Sequence, residues 1–352
     1  MFDRAHALLR GGRHQQLFPA AVAEVGTSAG VLWREAVGHF TYDPASPPTR
    51  VDTVFDLASL TKVLATTPLV MHLMARGGLT LDDPVSHHLP SWTGADRVDV
   101  TIRDLLAHCS GLPAHQPYFQ AHSGRAAYEA AICAEALDYA PRTTSAYSDL
   151  GFMLLGFIAE DRLGASLAEA FVDLSGRMAP GQRLRFAPPP DWASVTAPGA
   201  IRASGEPARF PTVDDANARA LGGVAGHAGL FGTAPAVGAC ARQVLQDLSG
   251  LPRGADQALL AEFVTRRADI PGSSRALGWD TMLPTSSCGT RLSPRAFGHT
   301  GFTGTSLWID PDRDLYVVLL TNRLHPDGPR DGLQAVRAAF HDAVVDGLAL
   351  TT

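Results

Sequence analysis

Ser59-Leu60-Thr61-Lys62 stands between an apolar, strand-like run, Val54-Phe55-Asp56-Leu57, and a helical run that closes at Gly77-Gly78. Lys62 is the single lysine among 29 Lys plus Arg residues in a chain of 352, so every other fixed cation is a guanidinium. An amine differs from a guanidinium chiefly in that burial or a neighbouring positive potential can lower its pKa into a useful range, whereas arginine stays protonated. A serine in the first turn of a helix has its backbone N–H groups at the positive end of the macrodipole, where an oxyanion can sit. A residue three places on lies on the same face one turn deeper. The spacing therefore points to a serine nucleophile with an amine of lowered pKa to take its proton. Ser-x-x-Lys alone is unspecific, because it recurs in ordinary helices as a cap and a surface ammonium.

The surroundings narrow the reading. A formal charge of −6 shows no basic excess, which argues against nucleic acid or an anionic membrane as partner. Residues 1 to 16 carry Arg4, Arg10, Arg13 and His14 among short apolar runs, without a hydrophobic signal core, and no stretch is long enough to span a bilayer. The expectation is a cytoplasmic protein. Cys109, Cys133, Cys240 and Cys288 are widely spaced, which fits buried thiols better than disulfides or zinc. Metal-ligand spacing is absent, and no cofactor is expected.

Asp3 to Gln16 reads as a surface helix interrupted at Gly11-Gly12. Ala20 to Val25 and Val31 to Phe40 read as a hairpin. A helix is predicted from Ser59 to Arg76, kinked at Pro68, which lacks the N–H donor. Helices follow over Thr101–His108, Arg125–Leu137, Asp149–Asp161 and Ser166–Phe171. Met178 to Pro211 reads as a long loop, and Thr233 as the cap of a helix to Leu248. Gly304–Ile309 and Leu315–Thr321 read as strands around Asp310–Asp314, before a last helix over Gly332–Leu348. The pattern predicts an α+β fold, an α/β sandwich whose antiparallel sheet is built from both termini and flanked by helices. One domain over 1–352 is expected, with residues 1–78 and 220–352 as its α/β part and 79–219 as a helical and loop insert.

Two further segments make the serine and lysine specific. Tyr147-Ser148-Asp149 precedes the apolar helix Leu150 to Ile158, and His299-Thr300-Gly301 precedes a strand. In order and spacing the three segments resemble the motif boxes of the serine β-lactamase and penicillin-binding-protein superfamily, and the tyrosine is similar to that of its class C and esterase branch. Gly78–Pro84, Thr101–His108 with Ser110–Pro113, and Leu221–Phe231 resemble the same family. The resemblance implies that Ser59 forms an acyl-enzyme and Lys62 helps deprotonate it. Tyr147 would act as phenolate-like base or proton relay, and the N–H groups of Ser59 and Phe302 would form the oxyanion hole. Thr300 and Gly301 would line the substrate site. Whether Lys62 or Tyr147 is the base stays open.

The chain departs from the family at two places. His299 stands where β-lactamases commonly carry lysine, and a histidine is mostly neutral near pH 7 unless a neighbour raises its pKa. This favours uncharged esters over β-lactams or D-alanyl termini. Asp149 stands where asparagine is usual, and a carboxylate would hold Lys62 protonated or orient it. Phe302 could wall an acyl pocket, Arg323 could supply a positive charge, and His227 lies in a Gly-rich loop that could line the cleft. The His87-His88 pair reads as solvated. The expected function is a serine hydrolase acting on a small ester, amide or D-amino-acid peptide, esterase-like first. The alternatives are β-lactam hydrolase, D-alanyl-D-alanine carboxypeptidase, or a non-catalytic ligand sensor on the same fold.

Overall fold

The structure, a computed structural model, describes residues 1–200, 211–250, 256–325 and 330–349. The first helix, α1 (Asp3–His14), passes through Gly11-Gly12 without the expected break. A Cβ at Gly12 would lie 2.9 Å from the Phe18 ring, so that glycine lets the helix approach the strand that follows. The hairpin of β1 (Ala20–Gly26) and β2 (Val31–Gly38) forms as read, in register from Ala20↔Gly38 to Val25↔Trp33.

Next come β3 (Phe55–Asp56), a π-helical turn over Lys62–Thr66, and α2 (Thr67–Ala75). The helical run is continuous from Leu60 to Ala75, and Pro68 lies inside it directly after the π-helical turn, where the widened backbone accommodates the N–H that proline lacks. The helical region contains α3 (Ile102–Leu106), α4 (Arg125–Ala134), α5 (Asp149–Leu163) and α6 (Leu167–Met178). In α5 every residue from Leu150 to Ala159 is buried, which explains its all-round apolar sequence.

The stretch read as an insert of helices and loops also holds β4 (Leu184–Phe186) and α7 (Ala216–Ala220). β4 pairs with β5 (Leu230–Gly232), and β5 with β3, in a small second sheet. This corrects the loop reading of Met178 to Pro211, whose residues 201–210 lie outside those described. Three alternating residues were too short a signal to read as a strand.

The C-terminal part supplies α8 (Ala234–Leu248), α9 (Gln257–Val264), β6 (Asp280–Thr281), β7 (Phe297–Thr300), β8 (Ser306–Asp310), β9 (Leu315–Thr321) and α10 (Arg330–Ala349). The large sheet runs β2-β1-β9-β8-β7-β6, antiparallel throughout, so the two termini do build one sheet. In β9, Val317 and Leu319 face α1 and α10 with Phe18, Phe340 and Val344. Tyr316, Val318 and Leu320 face the core shared with α2, α5 and α8. Period-two alternation thus places one apolar set on each face, and helices cover both. All four cysteines are buried free thiols. His88 is not solvated, since its side chain is buried against Asp83 at 3.1 Å.

Candidate active site

The site begins with a strained turn. Ala58, between β3 and Ser59, has φ +48°, a left-handed conformation that costs a residue with a Cβ about 1–2 kcal/mol. Three bonds hold it there. Ala58 N–H donates to Asp56 Oδ1 at 2.8 Å, Thr303 Oγ1 to Asp56 O at 2.8 Å, and Thr305 Oγ1 to Leu57 O at 3.0 Å. The last two tie the Ser59 turn to the β7–β8 loop. Among the described residues the Ser59 backbone N–H donates to no acceptor, as an oxyanion donor requires.

Lys62 is completely buried, and its Nζ lies 3.1 Å from Ser59 Oγ, 2.6 Å from Tyr147 OH, 2.7 Å from Asp149 Oδ1 and 3.2 Å from His227 O. Asp149 and the carbonyl only accept, so they take two N–H groups. The third position faces the Ser59 and Tyr147 hydroxyls, as a donor in the ammonium and as a lone pair in the amine. Burial lowers the Lys62 pKa, but the charges and hydrogen bonds of Asp149 and Tyr147 outweigh it and the net direction is upward. The expectation of a lowered lysine pKa is therefore corrected: the resting state is an ammonium. Burial likewise raises Tyr147, and the opposing effects of Lys62 and Ser59 do not overcome it, so its resting form is the phenol.

Asp149 opens α5, but Ser148 is the cap, its Oγ accepting from Gly151 N–H. The Asp149 carboxylate is thereby left for Lys62. Burial would raise its pKa, yet Lys62, together with His115 whose Nδ1 lies 3.8 Å from Oδ2, holds it far below the usual carboxylate range. His227 contributes its backbone carbonyl, while its ring Nε2 pairs with Asp215 Oδ1 at 2.9 Å.

His299 and Thr300 end strand β7, and Gly301 leads through a short loop into β8, so the box does precede a strand while also closing one. His299 Nδ1 donates to Thr300 O at 2.8 Å, and burial, Lys62 and Arg275 drive its pKa well below the ordinary value. It is a neutral imidazole, its ring centroid 5.6 Å from that of Tyr147. Gly301 packs on the Ser59 turn: a Cβ there would lie 2.1 Å from Thr305 Oγ1, 2.8 Å from Leu57 O and 3.2 Å from Ala58 Cβ. Gly301→Ala is expected to lower kcat/KM by roughly 100-fold by misplacing the Ser59 turn, and to lower the thermal midpoint as well because the buried backbone must give way, measured by steady-state ester kinetics beside calorimetry. Phe302 is 52% exposed and lies under the Arg323 guanidinium, 4.8 Å from its ring centroid, so it is a stacked rim residue rather than a simple acyl wall.

These residues line one cleft of ≈ 1030 Å³, with Ser59, Tyr147, Asp149, His299 and Thr300 on its surface. Sequence reasoning missed Arg275, whose guanidinium lies 5.1 Å from the Tyr147 ring centroid, and His108, whose ring is 4.8 Å away on the same tyrosine. It also missed Asp215. Arg275 arrives through Gly278 (φ +85°), which packs on Thr67. Only turn signals, Pro271-Gly272 before it and Gly278 after it, marked that segment in the sequence.

Residues 5–340 match the model of the family described as Beta-lactamase, and the chain belongs to that family of serine hydrolases. It is 32% identical over 311 residues to a protein of Escherichia coli (strain K12) named "Putative D-alanyl-D-alanine carboxypeptidase", covering 78% of this chain and 70% of the relative. It is 31% identical over 356 residues to the N-acetylmuramyl-L-alanine amidase of Bacillus subtilis (strain 168), covering 88% and 78%. A solved β-lactamase from Sulfitobacter sp. EE-36 superposes with a TM-score of 0.78 at 24% identity, covering 99% and 98%, a likeness of fold.

Proposed function

We propose that the protein hydrolyses a small ester through an acyl-enzyme on Ser59. The observation that carries this reading is the Lys62 ammonium reaching both Ser59 Oγ and Tyr147 OH. One proton must leave the coupled Lys62–Tyr147 group before Ser59 can be deprotonated. Ser59 Oγ then attacks the carbonyl carbon, its proton passes to Lys62 and Tyr147, and the oxyanion takes the N–H groups of Ser59 and Phe302. The same proton goes to the departing alcohol, and water repeats the sequence to release the acid. Because the resting group is fully protonated and both pKa values are raised above their ordinary positions, kcat/KM is expected to climb with pH through neutrality and to be rising still at about pH 10.

The neutral His299 supports an ester, because position 299 itself offers no charge to pair with a carboxylate. A second reading, amide or D-alanyl peptide hydrolysis, is favoured by the names of the Escherichia coli and Bacillus subtilis relatives. The test is a fluorophosphonate probe followed by peptide mass mapping, with turnover of p-nitrophenyl butyrate, nitrocefin and a D-alanyl-D-alanine peptide. The proposal expects label on Ser59 alone and repeated ester turnover faster than the other two. Faster peptide turnover would select the second reading. A single stoichiometric burst would turn the protein into a covalent sensor, and an unlabelled folded sample would sink the nucleophile.

A further inference from the structure

One end of the cleft is walled by charges that acylation does not use. Arg323 follows β9 and Arg337 lies on α10, only 4% and 7% exposed, and both line the cleft with Thr303, Leu333 and Gln334. Arg323 is fixed in place, since its Nε donates to Phe302 O at 2.6 Å. Arg337 is poorly satisfied. Its Nη2 reaches only Thr305 O, at 3.4 Å, and its Nε is buried with no hydrogen-bond partner. No carboxylate among the described residues pairs with it, and burial together with the Arg323 charge pushes its pKa down to about 10. The nearby His341 offers no negative charge, for its Nδ1 donates to the Arg337 carbonyl. With no counter-ion among the described residues and another cation beside it, a buried guanidinium costs free energy unless an anion arrives.

The other charged residues of the cleft do not compete for that anion. Arg275 sits near Asp280, at 3.8 Å, and Asp149, Asp214 and Asp215 make the rest of the lining repel a carboxylate. We propose that Arg323 and Arg337 form an anion subsite, and that the natural substrate carries a carboxylate remote from its scissile bond, held by guanidinium N–H groups. This deepens the ester-hydrolase reading and rests on it for the word substrate. The cation absent from position 299 is thus relocated to the β9–α10 end of the cleft, where it reads a different part of the molecule. Guanidinium suits this task because its planar donors match a carboxylate in pairs.

The test compares p-nitrophenyl hemiglutarate with the neutral p-nitrophenyl valerate, and follows the thermal midpoint with glutarate or inorganic phosphate at constant ionic strength. The native enzyme is expected to prefer the anionic ester by roughly tenfold in kcat/KM, and glutarate to raise its midpoint. In Arg337→Met the preference falls to about one and the glutarate shift disappears, while the anion-free midpoint rises because an unbalanced buried charge is gone. Arg337→Gln serves as a second variant should methionine fail to fold. The exposed control Arg76→Gln keeps both effects. If neither ester turns over, the hydrolase reading fails, and a glutarate shift lost in Arg337→Met still supports the subsite. Equal rate constants for the two esters, or a shift with phosphate alone, would overturn it.

Discussion

Lys62→Met is expected to lower kcat/KM for a p-nitrophenyl ester by about 10⁴-fold, as is Ser59→Ala, and the double variant no further than either alone. The reason is geometric. Lys62 Nζ is the one atom that touches Ser59 Oγ, Tyr147 OH and Asp149 together, so nucleophile, amine and phenol share one proton path. Methionine keeps much of the side-chain volume in this buried slot but cannot accept or pass a proton. It also leaves Asp149, 18% exposed, without its main counter-charge, so a fall in stability accompanies the fall in rate. The two effects separate in Lys62→Met/Asp149→Asn, which is expected to recover the thermal midpoint and none of the activity. Lys62→Arg is expected to stay inactive although its charge is kept, because a guanidinium does not give up its proton. Measurable turnover in Lys62→Arg, or additive losses in the double variant Ser59→Ala/Lys62→Met, would show that the lysine only holds Asp149.

Much of this was legible before any coordinates. The terminal sheet announced itself through the apolar runs Ala20–Val25 and Leu315–Thr321, since a strand between two helical layers must feed both. The three boxes were readable because each is local: a serine and a lysine one turn apart, a tyrosine before a buried helix, a histidine at a strand end. What escaped was long-range. Arg275 approaches Tyr147 across more than a hundred residues and carries no spacing signal. The Ala58 strain depends on bonds from Thr303 and Thr305, far along the chain. The direction of the Lys62 shift escaped for a related reason. Burial was foreseeable from sequence, but whether Asp149 would spend its charge on the lysine or on the helix cap depended on Ser148 taking the cap.

Asp149→Asn should reverse the way stability responds to alkali. In the native protein Asp149 has a depressed pKa, so its contribution is complete above the unfolded value near 3.9 and is lost as pH falls below that. Lys62 has a raised pKa, so its contribution is complete below the unfolded value near 10.4 and is lost only as pH climbs through the higher folded value. Between these limits the pair adds no slope. With asparagine at 149 the charge that opposed burial is gone, and burial, the largest influence on Lys62, pulls its pKa below the unfolded value. The unfolded chain then binds more protons than the folded one, and stability must rise with pH. We expect a loss of about 3 kcal/mol near neutral pH, partly regained from about pH 8 to about pH 10. The pH dependence of kcat/KM should shift to lower pH together with the lysine, even as its maximum falls. Were Asp149 merely the first residue of α5, its replacement would cost a few tenths of a kcal/mol and leave both pH dependences where they were.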